Sequence, residues 1–142
     1  MLDATWPMMR GHVWKIWFDP DDESKSAPIN KYVVIVQGQD FFQRKTRVSA
    51  VLATSQPEPR NYPWEVRVPA GSVVFWPIHT RICCGDIWSF RVEEIQRRAR
   101  RPVGVLPPEI MREVEVALSI SLGLARSTPV GPVPRRGTPN SG

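Results

Sequence analysis

Residues 106–124, LPPEIMREVEVALSISLGL, have the apolar spacing of a helix, in a chain whose earlier apolar blocks look like strands. Pro108 suits a first helical position, and Glu109 suits the positive end of the helix dipole. Gly123 then supplies a C-terminal stop. One apolar stripe is shared by Ile110, Met111, Val114, Ala117, Leu118 and Leu122. Because an amphipathic helix buries its apolar stripe, we expect this one to pack on a core made by the strands.

The blocks before this helix are short, rich in β-branched and aromatic residues, and bounded by Pro, Gly, Asn or Asp. They predict strands over Val13–Phe18, Tyr32–Val36, Val48–Ala53, Trp64–Val68, Ser72–Trp76 and Ile87–Phe90. A second, short helix with an arginine-rich outer face is indicated by Val92, Ile95 and Ala99. This pattern predicts a mainly β fold with some α, a small SH3-like β-barrel with a C-terminal packing helix.

The 142 residues suffice for one domain, which we place over residues 1–125. Residues 126–142 are rich in Pro, Arg and Gly and lack large aromatic residues, so their composition predicts a disordered tail. The formal net charge is +5, but the tail carries three of the arginines and no acid. The remaining 16 basic and 14 acidic side chains leave the domain at only +2, a charge that permits an RNA partner without requiring one.

The only cysteines, Cys83 and Cys84, are adjacent, which is poor geometry for a structural disulfide and favours a reducing compartment. Neither a secretory signal nor an apolar run of membrane-spanning length is visible. We therefore expect a cytoplasmic protein with no membrane partner. The acids Asp21, Asp22 and Glu23 in the polar stretch after the first strand favour solvation over metal binding, so we expect neither a metal nor a cofactor.

Four strings occur in the same order as in the MazF/PemK toxins and resemble them over residues 9 to 125. Arg10-Gly11-His12-Val13-Trp14 is similar to the family's Arg-Gly-Asp-Val-Trp/Tyr opening, and the stretch from Lys31 to Val36 is similar to its Arg-Pro-Val-Val-Val-Ile. The stretch from Val51 to Ser55 resembles a Val-Pro-Ile/Leu-Thr-Ser/Thr strand end, and residues 106–124 resemble the closing helix. The family fold is a CcdB/MazF-type barrel. Two departures, His12 for Asp and Lys31-Tyr32 for Arg-Pro, fall near the family's active site.

The resemblance implies a type II toxin–antitoxin component that acts as a metal-independent, sequence-specific endoribonuclease on single-stranded RNA. It also implies a growth-inhibiting homodimer with a cognate antitoxin. Carried over by position, the catalytic residues are Lys31 and Thr54, with Ser55 beside the latter. A cation and a hydroxyl donor can stabilise the charge that builds on a phosphoryl oxygen during attack by a 2′-hydroxyl. The alternatives are a solvated Lys31 and a turn-capping Thr54.

RNA binding requires cations that follow phosphates and aromatic faces on which bases stack. The sequence places cations near aromatic residues at Lys15, Trp17, Arg44, Lys45, Arg47, Arg60, Tyr62 and Trp64. His79 and Arg81 join this predicted set, because the segment Ile78-His79-Thr80-Arg81 is loosely similar to the family's Gln-Ile-Arg-Thr. For most of the tryptophans, core packing is the alternative.

Two other classes of function remain open. One is a catalytically inactive member of the fold that binds nucleic acid or a partner protein, and the other is a CcdB-like toxin that poisons gyrase. A catalytic imidazole pair made by His12 and His79 is chemically attractive, but nothing in the sequence brings the two rings together. Cys83 and Cys84 are too few to ligate zinc without a second cluster, and they receive no function.

Overall fold

The structure, a computed structural model, describes residues 7–18, 29–40, 46–99 and 101–125. The predicted tail, the acids Asp21, Asp22 and Glu23, and the predicted RNA contacts Arg44 and Lys45 lie outside these residues, as does the side chain of Trp17. Within the described residues, no helix has the length and apolarity needed to cross a membrane.

The elements are β1 (His12–Phe18), β2 (Ile29–Ile35), β3 (Arg47–Thr54), β4 (Glu65–Val68), β5 (Thr80–Arg91), α1 (Val92–Ala99), β6 (Gly104–Val105) and α2 (Pro108–Ser121). The strands form one six-stranded sheet in the order β4-β5-β3-β2-β1-β6, and every neighbouring pair is antiparallel. A curled half-barrel sheet with two helices confirms the predicted fold class.

Hydrophobic side chains pack on both faces of the sheet because residues alternate sides along each strand. One cluster lies under α2 and includes Val34, Val51, Ile82 and Trp76. The other lies under α1 and includes Trp14, Val33 and Ile95. Val33, Val34 and Ile35 of β2 are fully buried, as the apolar Tyr32–Val36 block predicts for a strand covered on both faces.

Helix α2 begins at the predicted Pro108 and is followed by Gly123 at φ +76°, the left-handed conformation of a helix stop. Val114 and Ala117 are buried, and Ile110, Met111 and Leu118 pack beside them. Leu122 is 57% exposed and does not join this stripe, because it caps the helix after its last turn. Arg10 ties α2 to the sheet: its guanidinium donates 2.6 Å hydrogen bonds to the Val36 carbonyl and to the Glu115 carboxylate.

The predicted strand over Ser72–Trp76 is wrong. Val73 and Trp76 bridge each other within a tight turn, where the Trp76 N–H donates to the Val73 carbonyl. Both side chains enter the core at a spacing of three residues, while Val74 between them is 94% exposed. A strand needs a spacing of two, so the β-branched composition here serves a turn that inserts two anchors into the core.

The predicted strand Ile87–Phe90 is the second half of β5, which begins earlier, at Thr80. Along its pairing with β3, Ala50 lies opposite Trp88 and Leu52 lies opposite Cys83. Val51 alone therefore faces four residues, Cys84 to Ile87. We call these four residues the β5 bulge. A bulge bends its strand and redirects its side chains.

Candidate active site

The sheet brings Lys31 and Thr54 to one end of neighbouring strands. Tyr32 of β2 lies opposite Ala53 of β3, so Lys31, one residue earlier, and Thr54, one residue later, point to the same side of the sheet. Both line a cleft of about 190 Å³, whose other lining residues are Leu52, Ala53, Gln56, Cys83, Asp86 and Trp88. Ser55 is exposed and is not among the lining residues.

The Thr54 hydroxyl accepts a hydrogen bond from the Gln56 N–H at 3.2 Å. This is the turn-capping contact expected of a threonine at a strand end, and it leaves the hydroxyl proton available to a ligand. Lys31 is half-buried, and no carboxylate of the described residues lies within 4.0 Å of its ammonium group. The cleft is thus lined by a cation and a hydroxyl donor, both on the same side of the sheet.

Arg81 lies directly opposite Thr54 in the β3–β5 pair, but its guanidinium is engaged by protein groups. Its Nη1 donates to both carboxylate oxygens of Glu65 at 3.0 Å, and its Nε donates to the Gln56 carbonyl at 2.9 Å. The side chain is 11% exposed. In this arrangement Arg81, predicted to contact RNA, supports the wall of the cleft.

Two arginines hold the proline-rich loop between β3 and β4. Arg81 bonds the carbonyl of Gln56, while Arg67 donates to the carbonyls of Glu58 and Arg60. The prolines of this loop prevent it from forming regular strand hydrogen bonds, which leaves backbone carbonyls without N–H partners. The two guanidinium groups donate hydrogen bonds to these carbonyls instead. The loop is therefore fixed at the rim of the cleft by side chains of β4 and β5.

This loop presents a ladder of stacked groups, which we call the aromatic ladder: Arg60, Tyr62 and Trp64. The Arg60 guanidinium lies 5.3 Å from the Tyr62 ring centroid, and the Tyr62 and Trp64 rings stack with centroids 4.8 Å apart. Trp64 is 37% exposed and packs against Gly85 of the β5 bulge, where an added Cβ would lie 2.7 Å from the indole. The missing side chain at Gly85 thus makes room for the tryptophan.

The remaining predicted RNA contacts are more dispersed. Lys15 is exposed, with its ammonium 5.7 Å from the centroid of the Tyr32 ring. Arg47 is at the opposite end of β3 from Thr54, roughly 23 Å along the strand, and its Nε donates to Ser89 at 3.2 Å. His79 is half-buried immediately before β5. None of these three side chains lines the cleft.

The two imidazoles do not form a pair. His12 is 7% exposed at the start of β1, and β2 and β3 separate β1 from β5, which His79 precedes. Burial lowers the pKa of His12, and a hydrogen bond to the Pro7 carbonyl opposes this only partly. His12 is neutral and buried, and it lies at the other end of β1 from Ile16, the residue that pairs with Lys31. We therefore interpret His12 as a structural histidine.

The cysteines are both free, and they differ in their surroundings. Cys83 is half-buried and lines the cleft, whereas Cys84 points into the core under α2. Burial raises the pKa of the Cys83 thiol and raises that of Cys84 to about 12. Across the described ranges, no three His, Cys, Asp or Glu side chains are grouped so that they could hold a metal ion.

Sequence reasoning missed Asp86 and Trp88 of the cleft wall. Asp86 belongs to the β5 bulge, and Trp88 follows the bulge at the first row where pairing with β3 resumes. The available signal was Gly85, because a glycine inside an apolar strand marks a bulge or a close approach. The cleft-facing position of Asp86 follows from the register shift, which only the pairing reveals.

Structural comparison finds relatives of the same fold. The endoribonuclease in complex with its cognate antitoxin from a Mycobacterial species superposes with a TM-score of 0.61 at 20% identity, covering 83% of this chain and 97% of that one. The MazE–MazF complex (Form-II) from Deinococcus radiodurans gives 0.65 at 18% identity, covering 84% and 99%. At these identities the likeness concerns the fold alone.

Comparison at the level of sequence identifies the family. No curated protein matches the chain significantly. A family model, described as PemK-like, MazF-like toxin of type II toxin–antitoxin system, matches residues 9–122. That match spans β1 to α2 and includes every residue that lines the cleft. The chain therefore belongs to the PemK-like, MazF-like toxins of type II toxin–antitoxin systems.

Proposed function

We propose that this toxin is a metal-independent endoribonuclease that cleaves single-stranded RNA at specific sequences. The observation that carries the proposal is the placement of Lys31 and Thr54 in one cleft, since these are the positions that the family resemblance assigns to catalysis. Solved structures of similar fold include an endoribonuclease with its cognate antitoxin, which agrees with this activity.

The proposed reaction is an internal transesterification of the RNA backbone. The 2′-hydroxyl of one nucleotide loses its proton as its oxygen attacks the adjacent phosphorus, the bond from phosphorus to the 5′-oxygen breaks, and that oxygen takes up a proton, so that no net proton is gained or lost. The products carry a 2′,3′-cyclic phosphate and a 5′-hydroxyl. Lys31 places positive charge by the phosphoryl oxygens as their negative charge grows, and the Thr54 hydroxyl donates a hydrogen bond to one of them.

The hydrogen bond between Thr54 and Gln56 orients the Thr54 hydroxyl as a donor before RNA binds. Because the Gln56 N–H occupies a lone pair on the hydroxyl oxygen, the O–H bond is directed away from the loop. Gln56 is itself fixed by Arg81, so the orientation costs little reorganisation when RNA binds. Ser55 lies beside this group as a further candidate donor.

RNA strands would approach the cleft along the aromatic ladder. Base stacking on the exposed part of Trp64, which Tyr62 supports from behind, supplies affinity without sequence preference, with Arg60 near a phosphate. We further propose that the toxin is a cytoplasmic homodimer that a cognate antitoxin inhibits. The MazE–MazF complex of similar fold supports a protein partner of this kind.

The test is incubation of the purified full chain with a long single-stranded RNA in EDTA. Discrete fragments ending in 2′,3′-cyclic phosphate are expected from the native protein, and a loss of at least about a hundredfold in kcat/KM from Lys31→Ala and from Thr54→Ala. Thr46→Ala, an exposed threonine just before the other end of β3, is the matched control and should retain activity. Intact RNA with the folded, antitoxin-free native protein would refute the ribonuclease and favour a binding module.

A further inference from the structure

The β5 bulge brings two side chains to the cleft that the catalytic proposal does not use. Between the paired rows Cys83–Leu52 and Trp88–Ala50, β5 has four residues where β3 has one. Asp86 within the bulge and Trp88 just after it both line the cleft with Lys31 and Thr54. In a regular strand Cys83 and Trp88, five residues apart, would point to opposite faces, so the bulge is what brings Trp88 to the wall that Cys83 also lines.

Asp86 is an unexpected residue in a cleft that is proposed to bind RNA, because RNA is a polyanion. Its side chain is exposed, and among the described residues no cation lies within 4.0 Å of the carboxylate. A carboxylate repels the phosphates of RNA and so weakens binding unless it meets a different part of the strand. The parts of RNA that carry hydrogen-bond donors are the 2′-hydroxyl and the base edges.

Trp88 supplies the complementary surface. Its ring is 47% exposed and lies nearly parallel to Phe90, at 19° with centroids 6.2 Å apart. The stacked neighbour supports the indole while one part of it faces the cleft. Unpaired bases stack on such rings, so a base held by Trp88 can present its edge to Asp86.

We propose that Asp86 and Trp88 form a recognition site for guanine next to the scissile phosphate, an inference that rests on the proposed ribonuclease function. The Watson–Crick edge of guanine carries two adjacent donors, N1–H and the N2 amino group, which match the two oxygens of a carboxylate. Adenine and cytosine place an acceptor nitrogen beside their amino group, and uracil places carbonyls on both sides of its N–H. Each of these bases therefore meets Asp86 with at least one repulsive contact.

The size of the cleft agrees with a single base. Its volume of about 190 Å³ is below the roughly 300–1,000 Å³ of sites that enclose a whole small-molecule ligand. Lys31 and Thr54 share its lining, so a base bound there belongs to a nucleotide that adjoins the reacting phosphate. Recognition and catalysis would thus use opposite walls of one cleft, β5 on one side and β2 with β3 on the other.

The experiment compares short RNAs that differ only at the mapped position beside the cut: guanosine, inosine, which lacks the N2 amino group, and adenosine. We expect the native protein to cleave the guanosine RNA with kcat/KM roughly tenfold above the inosine RNA, because one hydrogen bond to a charged group is lost. Asp86→Asn should bring this ratio close to one. Asp40→Asn, an exposed acid on another loop, should leave the ratio unchanged.

Trp88→Leu separates stacking from edge recognition. It should lower kcat/KM on all three RNAs by a similar factor and preserve the guanosine-to-inosine ratio. Equal cleavage of guanosine and inosine RNAs by the native protein, or an unchanged ratio in Asp86→Asn, would overturn the proposal.

A native protein that cleaves none of these RNAs would refute the proposed function and not yet the base site. Binding of the corresponding 2′-deoxy oligonucleotides, followed by tryptophan fluorescence, then decides it. Tighter binding of the guanine oligonucleotide than of its inosine counterpart, lost in Asp86→Asn, would support the site, and equal binding would overturn it.

Discussion

Both carboxylate oxygens of Glu65 accept hydrogen bonds from Nη1 of Arg81 at 3.0 Å, and the two side chains are only 10% and 11% exposed. The pair joins β4 to β5, and the same guanidinium holds the Gln56 carbonyl beside Thr54. An ion pair this deeply buried leaves a costly unpaired charge if one member is removed.

Glu65→Ala should therefore lower the free energy of unfolding by about 3–5 kcal/mol, because Arg81 would remain nearly buried without its partner. Urea denaturation monitored by tryptophan fluorescence measures the change. The double variant Glu65→Leu/Arg81→Met removes both charges and should recover much of that loss. A loss below about 1 kcal/mol in Glu65→Ala would mean that the pair behaves like an exposed surface bridge.

Gly85→Ala tests the aromatic ladder. The added methyl would lie 2.7 Å from Trp64 Cδ1, so the partly exposed indole should swing outward and leave its stack on Tyr62. We expect a several-fold loss of RNA affinity and a red-shifted tryptophan emission, with a stability change of no more than about 1–3 kcal/mol. In a Trp64→Ala background the same glycine change should have no further effect on RNA affinity. A full additional loss there would show that Gly85 acts by another route.

The buried His12 should make stability depend on pH. Its pKa in the folded state lies below the unfolded value of about 6.5, so the unfolded chain binds the proton more readily. The contribution of His12 is therefore fully favourable above pH 6.5 and is lost as pH falls through the unfolded and then the folded pKa. For one proton the slope is at most about 1.4 kcal/mol per pH unit.

Urea midpoints measured between pH 7.5 and pH 5 for the native protein and for His12→Gln should converge toward low pH, because the glutamine cannot titrate. Parallel curves would show that His12 does not contribute to this dependence.

The two cysteines should react at different rates. Cys83 faces the cleft, whereas Cys84 is buried with a pKa raised to about 12, so a thiol reagent at pH 8 should modify Cys83 first. Peptide mass analysis gives the site of modification, and modification at Cys83 should block RNA cleavage because the adduct fills part of the cleft. Cys83→Ser should keep its activity in the presence of the reagent. Early labelling at Cys84 would contradict the burial described for it.

The sequence predicted the closing helix and the buried strands well because those signals are local. The α2 stripe repeats with the helical period, and Pro108 and Gly123 mark its ends. The turn around Val73 and Trp76 was mistaken for a strand because its residue types favour β structure, while its spacing of three is visible only once both side chains are seen in the core.

Some residues of the candidate site could be predicted from the sequence, and others could not. The positions of Lys31 and Thr54 came from strings that resemble a family, and the strand register places both in one cleft. The contribution of Asp86 and Trp88 depends on how β5 slips against β3, and the engagement of Arg81 depends on Glu65, 16 residues away. Pairing between strands distant in the chain is not encoded in any local window.

The β5 bulge also separates the residues that hold β5 in the sheet by pairing with β3 from residues that are free of that pairing. The rows on either side of it are held in register by β3, so they tolerate little change. Of the four residues between them, Cys84 belongs to the core and Gly85 makes room for Trp64, whereas Asp86 and Ile87 are exposed and can change without shifting either set of rows. Under the proposed function, a toxin lineage built on this sheet can therefore alter the RNA base that it selects by changing the codons for Asp86 and Ile87, while the strands that carry Lys31 and Thr54 stay the same.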